Sequence, residues 1–363
     1  MPAAAAADPP CDRYGFFRDS DPKRAGLAVP AEVRARRLRV EGYRAAKWIK
    51  MLNAWDRYEA RKPAKLKRRF RKGVPDCLRG AVWNLLGGVG ALQAAHPGHY
   101  EALCARRDTP SQAIHDTIEV DIARTYPKHL FFARLDGAGQ AALRRLLHAY
   151  SRHDPEVGYC QGVGFLAGLC LMYMPEEAAF WQLAAAMASP TLRLRELYAP
   201  GLPGTLRALF VLDGLVARRL PRLHRHLKAE GVEVGLVCQG WVMTLFARDF
   251  PFDLVVRAWE LFLREGWKAV YRLCLALLRL AAPALLRLEF EGLMEYLRAL
   301  PARVDGHALA QAAFLPREGG ALGLGLGRGR RRAMAGQGGR GKVPLTRAEI
   351  AALEEEHARS LAC

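Results

Sequence analysis

The chain has 363 residues, of which 51% are hydrophobic and 25% charged, so it is long enough to fold as one large domain or two moderate ones. Its formal net charge of +19 resembles that of a nucleic-acid-binding protein, but the excess lies in flanking segments, at 31–50, 61–72 and 319–343, and the rest of the chain is balanced. Such flanks attract anionic membranes or acidic partners; the competing interpretation is ordinary solvated charge.

The eight cysteines form no CxxC pair and no regular framework, and several lie in apolar runs, which predicts free thiols in a reducing compartment rather than a zinc site. His224 and His226 are two residues apart, on different faces of a helix, so we predict no metal site there. The first ten residues do not resemble a secretory signal, and no apolar run predicts a membrane span. We therefore expect a cytoplasmic protein that contacts endomembranes peripherally if its basic flanks bind lipid.

Apolar residues recur at helical spacing along most of the chain, and no alternating strand pattern of useful length occurs, which predicts an all-α protein. The segment 162–174 is apolar on every side, so it predicts a central helix buried by its neighbours. The predicted helices lie at 31–58, 77–86, 97–106, 111–124, 140–153, 162–174, 176–187, 205–230, 237–248, 251–263, 267–286, 288–300 and 345–361. The last begins with a capping box of Thr346 and Glu349.

Two segments place unusual polar side chains in apolar surroundings. Asp121 and Arg124 are three residues apart, and for an isolated pair the ordinary interpretation is an ion pair on a helix face. Arg124, however, lies where the helix ends before Pro127, so its guanidinium can extend past the last turn. Gln161 stands at the start of the buried helix, beside Gly162. An arginine and a glutamine in these positions are suited to contact a phosphate group and a water molecule.

Other chemistries find less support in the sequence. Cys160 could be a nucleophile with His148 or His153 as its base, but no cationic neighbour or orienting acid accompanies it. The phosphate-binding pattern GxxxxGK[ST] is absent, and no strand precedes the glycines that follow Gln161. The sequence therefore predicts no nucleotide pocket in this chain.

Four motifs occur together in a specific order and spacing, and in this they resemble the TBC-domain Rab GTPase-activating proteins. The motifs are Arg71-x-Gly73-x-Pro75-x-x-x-Arg79-x-x-x-Trp83, Ile118-x-x-Asp121-x-x-Arg124, Tyr159-Cys160-Gln161-Gly162, and Trp241-x-x-x-Leu245-Phe246 followed by Arg257-x-Trp259-Glu260. The resemblance covers about residues 71–316. The upstream residues Asp12, Tyr14–Phe16 and Lys47–Trp48 are most similar to those of growth hormone-regulated TBC proteins.

The resemblance implies an all-helical, two-lobed, V-shaped domain and a Rab GTPase in its GTP state as partner. Arg124 would be an arginine finger, and Gln161 a glutamine finger that orients the attacking water. Asp121 and Arg79 would hold this arrangement in shape, with Tyr159, Gly162 and Trp83 also supporting it. From the residues themselves, Arg79 is either a surface charge or a buried ion-pair partner of a distant acid, and we favour the second interpretation. GTP and Mg²⁺ would belong to the partner, so the chain would be an enzyme activator without a cofactor or metal of its own.

The chain divides into five segments, of which the resemblance defines the TBC domain and composition and helical periodicity define the others. We expect a mostly disordered N terminus at 1–30 whose aromatic residues at 14–16 dock on the domain, a basic helical extension at 31–70, the TBC domain at 71–316, a disordered Gly/Arg-rich linker at 317–344, and a short helix at 345–363. Two departures from the family pattern, Glu260 in place of aspartate and Val242 in place of phenylalanine, concern packing in the second half.

Two alternatives remain open at this point. The same fold could be a non-catalytic Rab-binding scaffold or adaptor. The basic run 61–72 and the Gly/Arg-rich tail could instead bind nucleic acid, but the tail lacks interleaved aromatic residues for base stacking, which disfavours this alternative.

Overall fold

The computed structural model of the chain describes residues 11–17, 31–106, 111–314 and 345–362. Within these ranges the repetitive structure is helical, and the β contacts are two isolated bridges, Cys11 with Phe17 and Phe16 with His129. The all-α prediction is confirmed. Among the same residues, no helix is both long enough and apolar enough to cross a bilayer. The linker predicted at 317–344 lies outside the described residues.

The helices of the described residues are numbered here in chain order. They are α1 (Ala31–Leu52), α2 (Trp55–Arg61), α3 (Pro63–Lys72), α4 (Arg79–Gly87), α5 (Val89–Ala95), α6 (His99–Ala105), α7 (Gln112–Arg124), α8 (Ala138–His153), α9 (Val163–Leu171), α10 (Glu176–Ala188), α11 (Leu194–Tyr198), α12 (Pro203–Arg219), α13 (Pro221–Ala229), α14 (Val234–Met243), α15 (Phe252–Glu265), α16 (Trp267–Leu285), α17 (Phe290–Ala299), α18 (Gly306–Phe314) and α19 (Arg347–Ala362). Short 3₁₀ turns lie at Asp76–Leu78 and Pro301–Arg303.

The helices pack in two groups around one continuous apolar core. In the first group, α8 packs against α6, α7, α9 and α10, and α10 also covers α4 and α5. In the second, α12 packs against α11, α13, α14, α16 and α19, while α15 packs against α16 and α18. The groups meet where α10 contacts α11 and where α4 contacts α15. Every residue of α9 is buried, which explains why that segment is apolar on all sides.

Several helix boundaries differ from the predictions for local reasons. The helix predicted at 31–58 is broken after Leu52, and the one predicted at 205–230 is broken at Leu220, because the residue before Pro221 avoids the helical region. Four helices, α3, α5, α11 and α18, lie outside the predicted helix ranges, although most of α3 falls within the helical extension predicted at 31–70. The capping box of Thr346 and Glu349 is present.

The N-terminal segment 11–17 docks on the domain, as predicted from its aromatic residues. The rings of Tyr14 and Phe16 lie 5.2 and 5.0 Å from that of Phe252. Backbone hydrogen bonds join Gly15 to Leu130 and Phe17 to Lys128, both at 2.9 Å. The segment therefore supports the chain just after the end of α7.

Candidate functional site

Arg124 is the last residue of α7, and its side chain is 44% exposed. One turn earlier on the same helix, the buried carboxylate of Asp121 forms an ion pair with its guanidinium. The ion pair expected for an isolated DxxR pattern is therefore present, but Asp121 is buried whereas Arg124 is exposed. The buried anion therefore holds an exposed guanidinium at the end of the helix.

The turn that ends α7 is fixed against α9. Tyr126 adopts a left-handed backbone conformation with φ of 49°, which is unfavourable for a residue with a side chain. Its buried hydroxyl donates a hydrogen bond of 3.1 Å to the carbonyl of Phe165. A Cβ added to Gly168 would lie 3.1 Å from the tyrosine ring, so the glycine is what allows this close approach. The packing therefore holds the turn that follows Arg124.

Asp121 also connects α7 to the segment that carries Gln161. The hydroxyl of Tyr159 donates a hydrogen bond of 2.6 Å to Asp121 Oδ2. Burial, the Asp121 hydrogen bond and the nearby Asp121 charge raise the pKa of Tyr159 well above its usual value, so the phenol keeps its proton and remains a donor. The carboxylate thus has Arg124 on one side and Tyr159 on the other.

Gln161 is exposed and lies two residues after Tyr159 and two residues before the first residue of α9. Gly162 has a φ of 113°, a conformation that other residues rarely adopt, and a Cβ there would also lie 3.4 Å from the carbonyl oxygen of Met243. A Cβ on Gly164 would lie 3.2 Å from Thr125 Oγ1, so the first turn of α9 approaches the residue that follows Arg124. Arg124 and Gln161 are therefore exposed side chains on two segments that pack together.

A second arginine, which the sequence did not single out, anchors the loop before Tyr159. Arg195 of α11 donates hydrogen bonds to both carboxylate oxygens of Asp154, at 2.7 and 2.9 Å, and to Glu156 at 2.5 Å. Burial tends to raise the pKa of Asp154, but the hydrogen bonds and charge of Arg195 outweigh it and the pKa is lowered. The Asp154-Pro155 pair signals a turn, but no local pattern points to its partner 41 residues away.

Arg79 and Trp83 belong to a separate cluster between α4 and α15. Arg79 is buried and pairs with Asp76, and its Nε lies 3.5 Å from Glu260, so the predicted ion pair with a distant acid is present. Trp83 packs its ring 4.8 Å from that of Tyr173. These side chains join the two helix groups, and their contacts are not with the Arg124–Gln161 pair.

The departure at Glu260 contributes to this cluster. Glu260 is fully buried and also pairs with Arg257, which donates hydrogen bonds of 2.9 Å to the carbonyls of Phe70 and Arg71. Burial lowers the pKa of Arg257 to about 9. Two buried guanidinium groups thus share one carboxylate. Val242, the second departure, is buried in α14.

The alternative nucleophile lies in an unfavourable environment. Burial, together with the nearby charge of Asp121, raises the pKa of the half-buried Cys160 thiol. A raised pKa keeps the thiol protonated and weakly nucleophilic. Nor do His224 and His226 converge, because His224 contacts Asp213 and His226 contacts the backbone carbonyls of Leu285 and Leu288.

Comparison with known proteins identifies the family. Residues 76–286 match the family model of RabGAP-TBC, the Rab-GTPase-TBC domain. The crystal structure of the Chlamydomonas flagellar RabGAP TBC domain aligns with 85% of this chain and all of its own, at a TM-score of 0.65 and 28% identity. The chain belongs to the Rab-GTPase-TBC domain family.

Two curated relatives, both from Mus musculus, are similar over most of this chain. Carabin is 36% identical over 297 residues, which are 80% of this chain and 63% of Carabin. TBC1 domain family member 10A is 34% identical over 318 residues, which are 85% of this chain and 59% of the relative. The chain thus spans less than two thirds of the length of either relative. Neither is a growth hormone-regulated TBC protein, and that finer assignment stays a prediction.

Proposed function

We propose that this protein is a GTPase-activating protein for a Rab-family small GTPase in its GTP state. The observation that carries the proposal is the placement of Arg124 and Gln161. Both side chains are exposed, and the segments that bear them are joined through Asp121 and the 2.6 Å hydrogen bond from Tyr159. Membership of the Rab-GTPase-TBC family supports the choice of partner.

Each of the two side chains has a separate task in this proposal. During GTP hydrolysis, charge develops on the transferring phosphoryl group, and an arginine supplied from outside stabilises it. The planar guanidinium of Arg124 offers several donors to the phosphate oxygens, which a lysine cannot match. The amide of Gln161 would accept from and donate to the attacking water and so orient it.

The remaining parts of the reaction belong to the partner. GTP and Mg²⁺ are bound by the Rab, and this chain completes an active site that lies on another protein, without a reaction of its own. Because the partner acts at membranes in this proposal, we also place the protein in the cytoplasm and at endomembranes, in the regulation of vesicle trafficking. The basic helices α1 and α3 are the surfaces through which it would contact anionic lipid.

The test is a single-turnover GTP-hydrolysis assay against a panel of GTP-loaded Rabs. We expect the wild-type chain to accelerate at least one Rab, and Arg124→Ala to lose about 10³ to 10⁵ of that acceleration. Gln161→Ala should also lose activity, and Arg124→Lys should not restore it. The matched controls are Arg134→Ala and Gln112→Ala, both at exposed positions.

The outcomes separate the alternatives. Equal acceleration by the wild type and both finger variants would refute the mechanism. Binding to a GTP-loaded Rab without any change in hydrolysis, across the whole panel, would instead identify a non-catalytic Rab-binding scaffold.

A further inference from the structure

Three potential metal ligands converge on one side of α7, away from the segment that carries Gln161. His115 and Glu119 lie one turn apart on this helix, and His148 of α8 faces them. One ligand atom from each residue lies within 4.8 Å of the other two. His148 Nε2 is 3.5 Å from Glu119 Oε1, and the two imidazole centroids are 5.1 Å apart. The proposed GTPase-activating function uses none of these groups.

The state of His148 suits a ligand. The residue is only 8% exposed, and its Nδ1 is buried without a hydrogen-bond partner among the described residues. Buried polar atoms normally have a partner, so an unpaired nitrogen on this ring is available to a ligand.

The carboxylate of Glu119 is oriented by a neighbouring arginine. Arg144 of α8 donates from Nε to both Glu119 oxygens at 2.9 Å, and its terminal nitrogen donates to Asp136 at 3.1 Å. Each carboxylate oxygen has a second lone pair that can bind an ion. The arginine charge is shared with Asp136, and outer-shell partners of this kind commonly hold metal ligands in place.

We propose that His115, Glu119 and His148 bind a divalent transition-metal ion, of which Zn²⁺ is the representative. Two imidazole nitrogens and one carboxylate form a familiar three-ligand zinc set with water as the fourth ligand. Ca²⁺ and Mg²⁺ require oxygen ligands, so this set disfavours them. Tetrahedral bonds of about 2.1 Å place ligand atoms about 3.4 Å apart, close to the separation between His148 and Glu119.

The remaining ligand has room to adjust. His115 is half-buried, at a helix surface, so a change in its side-chain torsions can bring its nitrogen nearer to the other two ligands. A bound ion would cross-link α7 to α8 and stabilise the helix that ends at Arg124. The proposal does not depend on the GTPase-activating function, since metal binding is measured on the chain alone.

The experiment titrates the purified, tag-free chain with Zn²⁺ by calorimetry and with Co²⁺ by absorption spectroscopy. We expect His115→Ala and Glu119→Gln to weaken a one-to-one Zn²⁺ complex by more than about tenfold, because loss of even an outer-shell partner lowers metal affinity by about 10- to 100-fold. His99→Ala is the matched control, because His99 contacts another histidine, His153, at a different place. The wild type should melt at a higher temperature with Zn²⁺, and His115→Ala should show no such shift.

The Co²⁺ spectrum distinguishes this site from the cysteines of the chain. Ligands that are only nitrogen and oxygen give d–d bands without the near-ultraviolet charge-transfer band of a Co²⁺–thiolate bond. Three results would each overturn the proposal. The wild type could form no one-to-one complex, both His115→Ala and Glu119→Gln could bind the metal as the wild type does, or the Co²⁺ spectrum could be dominated by a thiolate charge-transfer band. Circular dichroism establishes that the two variants keep their helices.

Discussion

The buried carboxylate of Glu260 allows a sharp test of how the two helix groups are held together. Glu260 has no exposed surface, and the side chains of its partners Arg79 and Arg257 are 6% and 5% exposed. Glu260→Gln keeps the shape of the side chain but removes the charge. Two buried guanidinium groups then lose their shared anion, although Arg79 retains Asp76 and Arg257 retains its backbone carbonyls.

The expected cost follows from the burial of all three groups. Removing one partner of a buried ion pair destabilises a protein by about 3–5 kcal/mol, because the remaining charge is left in a medium that solvates it poorly. At an unfolding entropy of about 2.1 cal/mol/K per residue, each kcal/mol lowers the thermal midpoint of a chain of this size by about 1.5 °C, so we expect a fall of roughly 4–8 °C. Glu260→Asp, which restores the residue usual in the family, keeps the charge and should cost about 1 kcal/mol for the lost methylene.

The assay is thermal and urea unfolding followed by circular dichroism at neutral pH. Glu295→Gln, at an exposed position of α17, is the control and should leave the midpoint unchanged. If Glu260→Gln unfolds within about 1 kcal/mol of the wild type, which is the usual value of an exposed pair, then the buried carboxylate does not neutralise these arginines and the reasoning fails.

Three further predictions concern the proposed site and the response to acid. Tyr159→Phe removes the hydrogen bond to the buried Asp121. We expect this loss to lower the free energy of unfolding in urea by about 1–3 kcal/mol and to reduce GTPase acceleration in the single-turnover assay. If neither quantity changes, the role given to that hydrogen bond is wrong. Arg195→Ala removes the side chain that anchors the loop before Gln161, so the maximal GTPase acceleration should fall. The dissociation constant of the Rab should stay within about threefold of the wild-type value, because the interface itself is not altered. Equal losses in both quantities would argue against a positioning role. Burial raises the pKa of Glu265, but hydrogen bonds and charge from neighbouring basic side chains lower the pKa below its usual value of 4.5. The ionised carboxylate therefore contributes its full stabilisation above about pH 4.5, and this stabilisation is lost as the pH falls through the lowered pKa. The Glu265→Gln variant should therefore be less stable than the wild type at neutral pH and should lose less stability between about pH 5 and 3. Urea unfolding at several pH values measures this difference. Parallel plots of stability against pH for the two proteins would refute the assignment.

The features that the sequence predicted well are those encoded within one or two turns of the chain. Helical periodicity predicted the all-α class, and the proline after Tyr126 marked the end of α7 beside Arg124. Boundaries failed where a single residue interrupts a continuous pattern, as at Leu220. Periodicity over a long window averages such a residue away.

The sequence did not identify the partners in long-range polar contacts, although it did predict a distant acid for Arg79. Arg195 is separated from Asp154 by 41 residues, and Glu260 from Arg79 by far more, so their pairing depends on how the helix groups pack. Glu119 and His148 likewise lie on different helices. No local pattern in the sequence indicates which residue each of them contacts, and only the tertiary structure reveals the partner.

The docked N-terminal segment has a practical consequence for recombinant work. A fragment trimmed to the family boundaries, 76–286, would omit residues 11–17. Such a fragment would expose the ring of Phe252 to water and leave the backbone amide of Leu130 without its acceptor, directly beyond the arginine-bearing helix end. A recombinant fragment that preserves these contacts should therefore begin upstream of Cys11.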